Sequence, residues 1–503
     1  MSKKITTLPE TIDIIVVGGG NAALCAALSA RESGASVLVL ERAPEIESGG
    51  NSRFTAGGFR CVYDCVDDLK HLMPDLTPDE IARTDFGTYT EDQFFDDMGS
   101  ITDYRCNPDL VELLVKRSRQ TLQWMQSKNV RFQPIWGRQA FLVDGRFKFW
   151  GGLTIEAWGG GPGLVDTLTT SALNAGIDIC YDARALSLIG DELGVSGVKI
   201  KHNNAIHEVR SKSVILASGG FEANHEWRAR YLGPGWDLAK VRGSRFNTGD
   251  GIAMALDIGA APYGHWSGCH AVGWDRNAPE FGDLDVGDGF QKHSYPFAIM
   301  LNADGERFVD EGADFRNYTY AKYGSVILSQ PGQFAWQIFD AKTTHLQRDE
   351  YRIRQITKVS ADTLEQLVEK LDGVNAARAL ETITAFNKAV QQDVPFNPNI
   401  LDGRGTKGLA VPKSNWANTI DQGPFEAFAV TCGITFTFGG LRIDTNGKVL
   451  NSDLIPIPGL YAAGELVGGL FYSNYPGGTG LMSGSVFGRL SGTSAADHVK
   501  NNQ

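Results

Sequence analysis

Along this chain a brief run of aliphatic and β-branched residues is repeatedly followed by a cluster of glycines and then by a stretch with helical spacing. Ile12 to Val17 is almost uniformly apolar, as expected of a parallel strand covered on both faces. Gly18-Gly19-Gly20 ends it. The pattern then predicts an Ala/Leu-rich helix over Asn21 to Ser33 and a second strand over Ser36 to Leu40, closing on Glu41: a βαβ unit. Val214 to Ala217 repeats the step from strand to glycine, running into Ser218-Gly219-Gly220, and Asn247 to Gly251 opens a helical stretch. Gly459 to Glu465 is a strand leading to an acid, and Tyr475 to Gly484 leads into a final helix over Ser485 to Ala496. An amphipathic helix is predicted from the cap Asn107, with Pro108 in its first turn, to about Lys128. Residues 262–415 lose this rhythm and gain aromatics, loops and two helices. One covers Asp362 to Asp372, capped by Ser360 and stopped at Gly373, and the other covers Ala376 to Gln392.

The chain has 503 residues, 42% hydrophobic and 21% charged, with 59 glycines and 19 prolines. This is an ordinary globular mix with a glycine surplus, which excludes disorder and collagen. At about 100 to 200 residues per domain the length suggests two to four units. A formal charge of −12 and a pI near 5.3 give no broad positive field for a phosphate backbone, so nucleic acid is not an expected partner. No window approaches the roughly 18 to 20 apolar residues of a membrane span. Met1 to Glu10 has two lysines and no apolar signal core, so the expectation is a soluble cytoplasmic protein. Seven cysteines include no CxxC pair and no Cys/His run at zinc spacing, and no metal is expected. Cys61 and Cys65, the nearest pair, admit a redox or metal reading; buried thiols in a reducing compartment are the plainer one.

The first βαβ unit has the features of a dinucleotide site. Gly18 makes the turn, Gly20 lets the backbone approach a pyrophosphate, and the N-terminus of the following helix, at Asn21 and Ala22, directs free N–H groups at it. Glu41 would accept from ribose hydroxyls, with Arg42 beside it, and Ala23 stands where the fingerprint has its third glycine. FAD and NAD both suit such a site. Gly50, Asn51 and Ser52 follow the acid, with Gly57 and Gly58 shortly after, where a flexible backbone can wrap a pyrophosphate and pass close to an isoalloxazine ring. Further candidate contacts are Ala185, Ala217, Ser218, Gly219, Thr248, Asp250, Gly464, Glu465, Gly480, Leu481 and Met482. Five separated glycine loops suit one long cofactor touched along its length.

With Glu41, the Gly-Gly-Asn-Ser loop, Ala217 to Gly220, Thr248 to Gly251, Gly305 to Glu311, Phe438-Gly439-Gly440 and the Ala-Gly-Glu segment, the chain resembles the flavoprotein superfamily of fumarate reductases, succinate dehydrogenases and 3-ketosteroid dehydrogenases. Gly18 to Ala27 and Asn474 to Gly480 are most similar to FAD-dependent tricarballylate dehydrogenases. The resemblance implies an α/β architecture: a discontinuous Rossmann-like FAD-binding domain, residues 1–261 and 416–503, with an inserted α+β capping domain over 262–415. It implies FAD, held noncovalently, since no histidine stands between Glu41 and Arg60.

Removing hydrogen from a saturated C–C bond needs a hydride acceptor, a base for the neighbouring proton and a clamp for the substrate. The resemblance offers Arg316, five residues past Glu311, for the proton, one place later than in the fumarate reductase pattern; an ordinary surface arginine is the alternative. Tyr318 and Tyr320 are nearby candidates. Phe436 replaces the histidine before Thr-x-Gly-Gly, and Tyr475 replaces the arginine that clamps a carboxylate, so fumarate itself is not the expected substrate. Tyr475 is similar to the tyrosine of ketosteroid and tricarballylate dehydrogenases, where the hydroxyl polarises a substrate oxygen. His270, with His265 close by, falls near a substrate-contacting histidine. Arg60 and Arg245 are candidate carboxylate anchors or surface charges, and with Arg316 are expected to converge on one cavity beneath the cap. The expected function is an FAD-dependent dehydrogenase acting on a CH–CH bond beside a carboxylate or carbonyl of a small molecule, tricarballylate leading. A 3-ketosteroid-type dehydrogenase or enoate reductase is the alternative, and a non-catalytic electron carrier the remoter one. With no CxxCH haem motif and no iron–sulfur spacing, electrons pass to a separate acceptor. Oligomeric state is not legible.

Overall fold

The computed structural model describes residues 5, 7–191 and 194–501. Met1 to Lys4 and Thr6, half of the segment read above for a signal core, lie outside the described residues. Strand Thr11–Val17 is parallel to Val37–Leu40 on one side and Ala205–Leu216 on the other, with Val17 level with Leu40 and Leu216. That register brings Gly18 and Ala217 together at the same carboxyl edge. Asp178–Cys180 extends the sheet beyond Val37–Leu40, and Pro456–Ala462 joins Ala205–Leu216 in parallel. Gly194–His202, Arg184–Asp191 and Lys448–Leu450 complete eight strands among the described residues. Ile14, Ile15 and Val16 are buried completely, so their burial on both faces explains the unbroken apolar run.

A second sheet, of six strands among the described residues, is built around one long strand. Strand Phe425–Leu441 is its spine: Pro262–Asp275, Phe334–Phe339 and Lys358–Ala361 pair with it antiparallel, and Lys240–Val241 pairs in parallel. This sheet therefore draws strands from both sides of the expected 262–415 boundaries. Two three-stranded sheets lie between Gly58 and Ala157.

The predicted helices are present with several ends shifted, whereas others, among them Glu91–Ile101, Gly160–Asn174 and Tyr320–Leu328, are not among those the pattern predicts. Pro108–Ser127 starts at Asn107, whose side chain accepts from the backbone of Asp109 and Leu110. The cap helix is shorter than expected, Leu364–Val368, and its cap is Thr363. Ser360 instead lies in a strand, opposite Glu426, so sheet pairing wins over capping there. The next helix, Ala376–Ala389, stops where Val390 bridges to Thr406. The final helix begins earlier than read, at Thr479, and runs to Asn501. All seven cysteines are unpaired, and among the described residues no helix is long and apolar enough to cross a membrane.

The final helix lies directly on helix Asn21–Glu32. A Cβ at Gly488 would come within 2.4 Å of the Ala22 carbonyl oxygen, and one at Gly492 within 2.2 Å of that of Ala26. Asn21 donates to Ser485 Oγ at 3.0 Å and to the Leu481 carbonyl at 2.9 Å, and Ser29 donates to the Arg489 carbonyl at 2.8 Å. Gly488→Val is expected to destabilise the fold by about 1 to 3 kcal/mol through overpacking. Gly137→Ala, with open space around the new methyl, should stay within about 0.5 kcal/mol. Denaturant unfolding of the two variants measures the difference.

Candidate active site

A long cleft follows the carboxyl edge of the parallel sheet. Gly18 begins it, with φ +116°, and a side chain there would meet the Ala217 carbonyl oxygen at 2.3 Å, so only glycine lets the two loops approach. Gly20, Asn21 and Ala22 open the helix, and Ser218 Oγ in the facing loop has no protein partner. At the far end Glu41 is buried and accepts from Ala43 N at 2.7 Å. Burial raises the Glu41 carboxyl above its ordinary range against the pull of the backbone N–H groups of Ala43, Gly19 and Arg42. Arg42 and Arg184 both bind Asp250, closing this end beside Ala185. Gly50, Asn51, Ser52, Ala217, Gly219, Gly464 and Glu465 line the middle. Thr248 lies behind this wall, donating to Asp250 at 3.0 Å. Gly57 stands off the cleft, packed on Gly160, and Met482 is fully buried. A helix N-terminus, a glycine cradle, an acid at the ribose end and an unpartnered hydroxyl fit the length and chemistry of FAD.

Asn21, Ala22, Asn51, Ser52, Gly464 and Glu465 also line a second chamber, of about 200 Å³, between the sheet and the cap. Gly58, Gly480 and Leu481 border it on the cofactor side. One wall is aromatic: Phe436 packs against His270 at 5.1 Å, Phe438 at 5.4 Å, Phe471 at 5.7 Å and Tyr475 at 5.1 Å between ring centroids. Tyr475 Oη accepts from Gly478 N at 2.9 Å and lies within hydrogen-bond reach of the Tyr320 hydroxyl. The polar part of the lining carries Arg138, Arg242, Arg316, Asp288, Gln291 and His293.

These wall charges are ordered by Asp288. It accepts from Arg242 Nε at 2.8 Å and Nη2 at 2.5 Å, and from Arg138 Nη1 at 2.9 Å. Burial disfavours the Arg138 charge, but Asp288 and Glu350 outweigh it and raise its proton affinity. Arg316 is the reverse case. Burial, aided by the Arg138 charge and opposed by Glu350 4.0 Å away, lowers its proton affinity. Arg316 also donates to the Arg138 carbonyl. His270 and His293 are held well below the usual imidazole range by burial and then by neighbouring arginines, so both are neutral near pH 7. Neither ring nitrogen of His270 has a partner, nor does His293 Nε2.

The expected convergence of Arg60, Arg245 and Arg316 is corrected: Arg316 lines the chamber and the other two do not. Arg60 is fully buried behind it, donating to the Gly477 carbonyl at 2.8 Å, Tyr89 at 2.7 Å and Asp97 at 2.9 Å, which pins the loop after Tyr475. Arg245 is half-exposed and pairs with Glu47 at 2.7 Å. Tyr318 points away too, donating to Asp97 at 2.9 Å, whereas its neighbour Tyr320 lines the chamber. Sequence reading missed Arg138, Arg242, Asp288 and His293. Arg242 lies three residues before the arginine chosen; the others sit in loops and short turns with no periodic pattern.

Residues 13–481 match the FAD_binding_2 family, described as an FAD binding domain, and the chain belongs to that family. It is 31% identical over 497 residues to "Probable fumarate reductase Ifc3" of Shewanella frigidimarina, covering 97% of this chain and 76% of that one. It is 26% identical to "3-oxosteroid 1-dehydrogenase" of Mycolicibacterium smegmatis, over 96% of both chains. Among solved structures, the open conformation of a flavocytochrome c3 fumarate reductase superposes with a TM-score of 0.73 at 28% identity, over 97% of this chain and 79% of that one. The protein is thus an FAD-dependent oxidoreductase of the fumarate reductase and ketosteroid dehydrogenase type, acting on CH–CH bonds.

Replacing Glu41 with Ala removes a buried acceptor at the ribose end of the cleft. FAD affinity is expected to fall by about 1.5 to 3 kcal/mol, as read by fluorescence titration.

Proposed function

We propose that this chain transfers hydrogen across a C–C bond beside a single carboxylate on a compact, flat substrate. The supporting observation is the charge of the polar lining. Arg138, Arg242 and Arg316 are set against Asp288 in the wall and Glu465 on the cofactor side, Arg348 and Glu350 offset one another behind Arg316, and the histidines are neutral, so the chamber carries a surplus of one positive charge. One carboxylate matches that surplus. Three carboxylates, as in tricarballylate, would leave two charges buried without a counter-ion, which is costly. The edge-to-face cluster of Phe436, Phe438, Phe471 and Tyr475 suits a planar, unsaturated body.

FAD, when bound, supplies or accepts the hydride. Arg316 then handles the proton on the neighbouring carbon: it gives the proton in reduction, a step eased by its lowered proton affinity, and takes it in dehydrogenation, where the same lowering makes the neutral base form more accessible. Arg138 and Arg242, fixed by Asp288, hold the carboxylate. Tyr475, held by the backbone N–H of Gly478, directs its hydroxyl proton at a substrate oxygen. A second reading, a 3-ketosteroid-type dehydrogenase, draws on that tyrosine and the aromatic wall; there the polarised oxygen belongs to a ketone.

Two outcomes test these roles. In anaerobic stopped-flow with a reactive substrate, Arg316→Ala should slow flavin reduction or reoxidation by about 10² to 10⁴. Tyr475→Phe should cost about 0.5 to 1.5 kcal/mol, close to tenfold. If the tyrosine variant is dead while the arginine variant turns over normally, the proton belongs to Tyr475. In a substrate panel, unsaturated or saturated monocarboxylates with a planar substituent should turn over faster than tricarballylate, fumarate or 3-ketosteroids. Faster turnover of tricarballylate would overturn the charge argument, and of steroids would favour the second reading.

A further inference from the structure

Glu222 and Glu465 are both buried within the fold, and Glu465 lines both the cofactor cleft and the chamber. Their side chains meet in a carboxyl-to-carboxyl hydrogen bond. Such a bond requires a hydrogen on one of them, because two carboxylates have only acceptors. The surrounding donors decide which. Glu465 Oε1 accepts from Thr437 N at 2.9 Å, and the backbone of Gly220 also donates to this carboxylate. Glu222 takes both its amide donors on one oxygen, Oε1, from Asn51 at 2.7 Å and Asn247 at 2.6 Å, and no donor reaches Oε2.

We propose that Glu222 and Glu465 share a single proton seated on Glu222 Oε2, so that Glu465 alone faces the cofactor as an anion and Glu222 is a positioning residue for it. One negative charge in place of two limits repulsion of the cofactor's diphosphate and of the charge that flavin gains on reduction. The same proton leaves Glu222 Oε1 free as a neutral acceptor that fixes Asn51, whose Nδ2 also donates to the Thr435 carbonyl and whose Oδ1 accepts from Ser244 N at 2.8 Å.

The other titratable groups facing Glu222 are Arg228 and Cys269, with Cys432 beside both. Both thiols are neutral, since burial pushes Cys269 well up and Cys432 to about 12. Arg228 has its Nη1 and Nη2 groups committed to the Ala239 and Asp237 carbonyls at 2.7 and 3.0 Å. Burial and the neighbouring Glu465 raise the proton affinity of Glu222 well above the ordinary carboxylate range. The sign follows: a carboxyl whose proton affinity rises on folding contributes its stability at low pH, and that contribution is lost as pH rises through the raised folded value.

The test uses the FAD-loaded protein and reads FAD retention and melting temperature from neutral to alkaline pH. Wild type should lose both as pH rises. Glu222→Gln, which carries a permanent N–H donor toward Glu465, should match wild type near neutrality and abolish that alkaline loss. Glu222→Ala should weaken FAD binding at all pH values by at least about tenfold. Infrared spectra of the wild-type holoprotein should show a protonated-carboxyl carbonyl band that shifts in deuterium oxide. The proposal is overturned if Glu222→Gln loses FAD at neutral pH as Glu222→Ala does, if its alkaline loss equals that of wild type, or if the infrared band is absent. The infrared band is assigned as the one missing from Glu222→Gln, since the buried Glu41 carboxyl and the flavin carbonyls absorb nearby, and this difference decides should Glu222→Ala not fold.

Discussion

The contact between helices Asn21–Glu32 and Thr479–Asn501 is the constraint on which the rest depends. Residues more than 460 positions apart meet with their backbones close enough that glycines at 488 and 492 are required. The first helix presents its N-terminus to the cofactor cleft, and the last carries Gly480 and Leu481 to the edge of the reaction chamber. The cleft is thus closed from two ends of the chain at once. Small residues do this through dispersion and close approach rather than through bulk.

Beyond that contact, the chemistry is governed by how few uncompensated charges the interior holds. Asp288 spans two arginines, Glu350 backs a third, and burial strips both nearby histidines of their charge. A buried ion that lacks a counter-charge is expensive, so the ledger of the cavity is itself a description of its ligand. Arg60 illustrates the other side: a fully buried guanidinium that serves the architecture, holding the loop that presents Tyr475.

What was legible in the sequence follows from period and spacing. The first βαβ unit, Gly18 and Glu41 were visible because strand, turn, helix and acid lie consecutively, and local order then dictates geometry. The amphipathic helix after Asn107 was visible for the same reason. Arg138, Asp288 and His293 were not, because Arg138 lies in a single-turn helix and the other two in irregular segments, and all reach the chamber through long-range packing that no local pattern encodes. Arg245 misled for a related reason: three residues from Arg242 along an irregular loop, it points to solvent and pairs with Glu47. Ser360 misled through competition, its capping preference losing to a register fixed by Phe425–Leu441.

That strand also bears on how the molecule moves. Over its 17 residues it pairs with Phe334–Phe339 and Lys358–Ala361 in its first half and with Pro262–Asp275 from Val430 to Leu441, and Thr435, Phe436, Thr437 and Phe438 line the chamber. At about 3.3 Å per residue it is a continuous beam more than 50 Å long. A cap mounted on such a beam cannot swing on a loose linker. Its displacement must twist the sheet, and the twist arrives at Phe436 and the aromatic wall, so admission of substrate and the shape of the surface that receives it are one mechanical event.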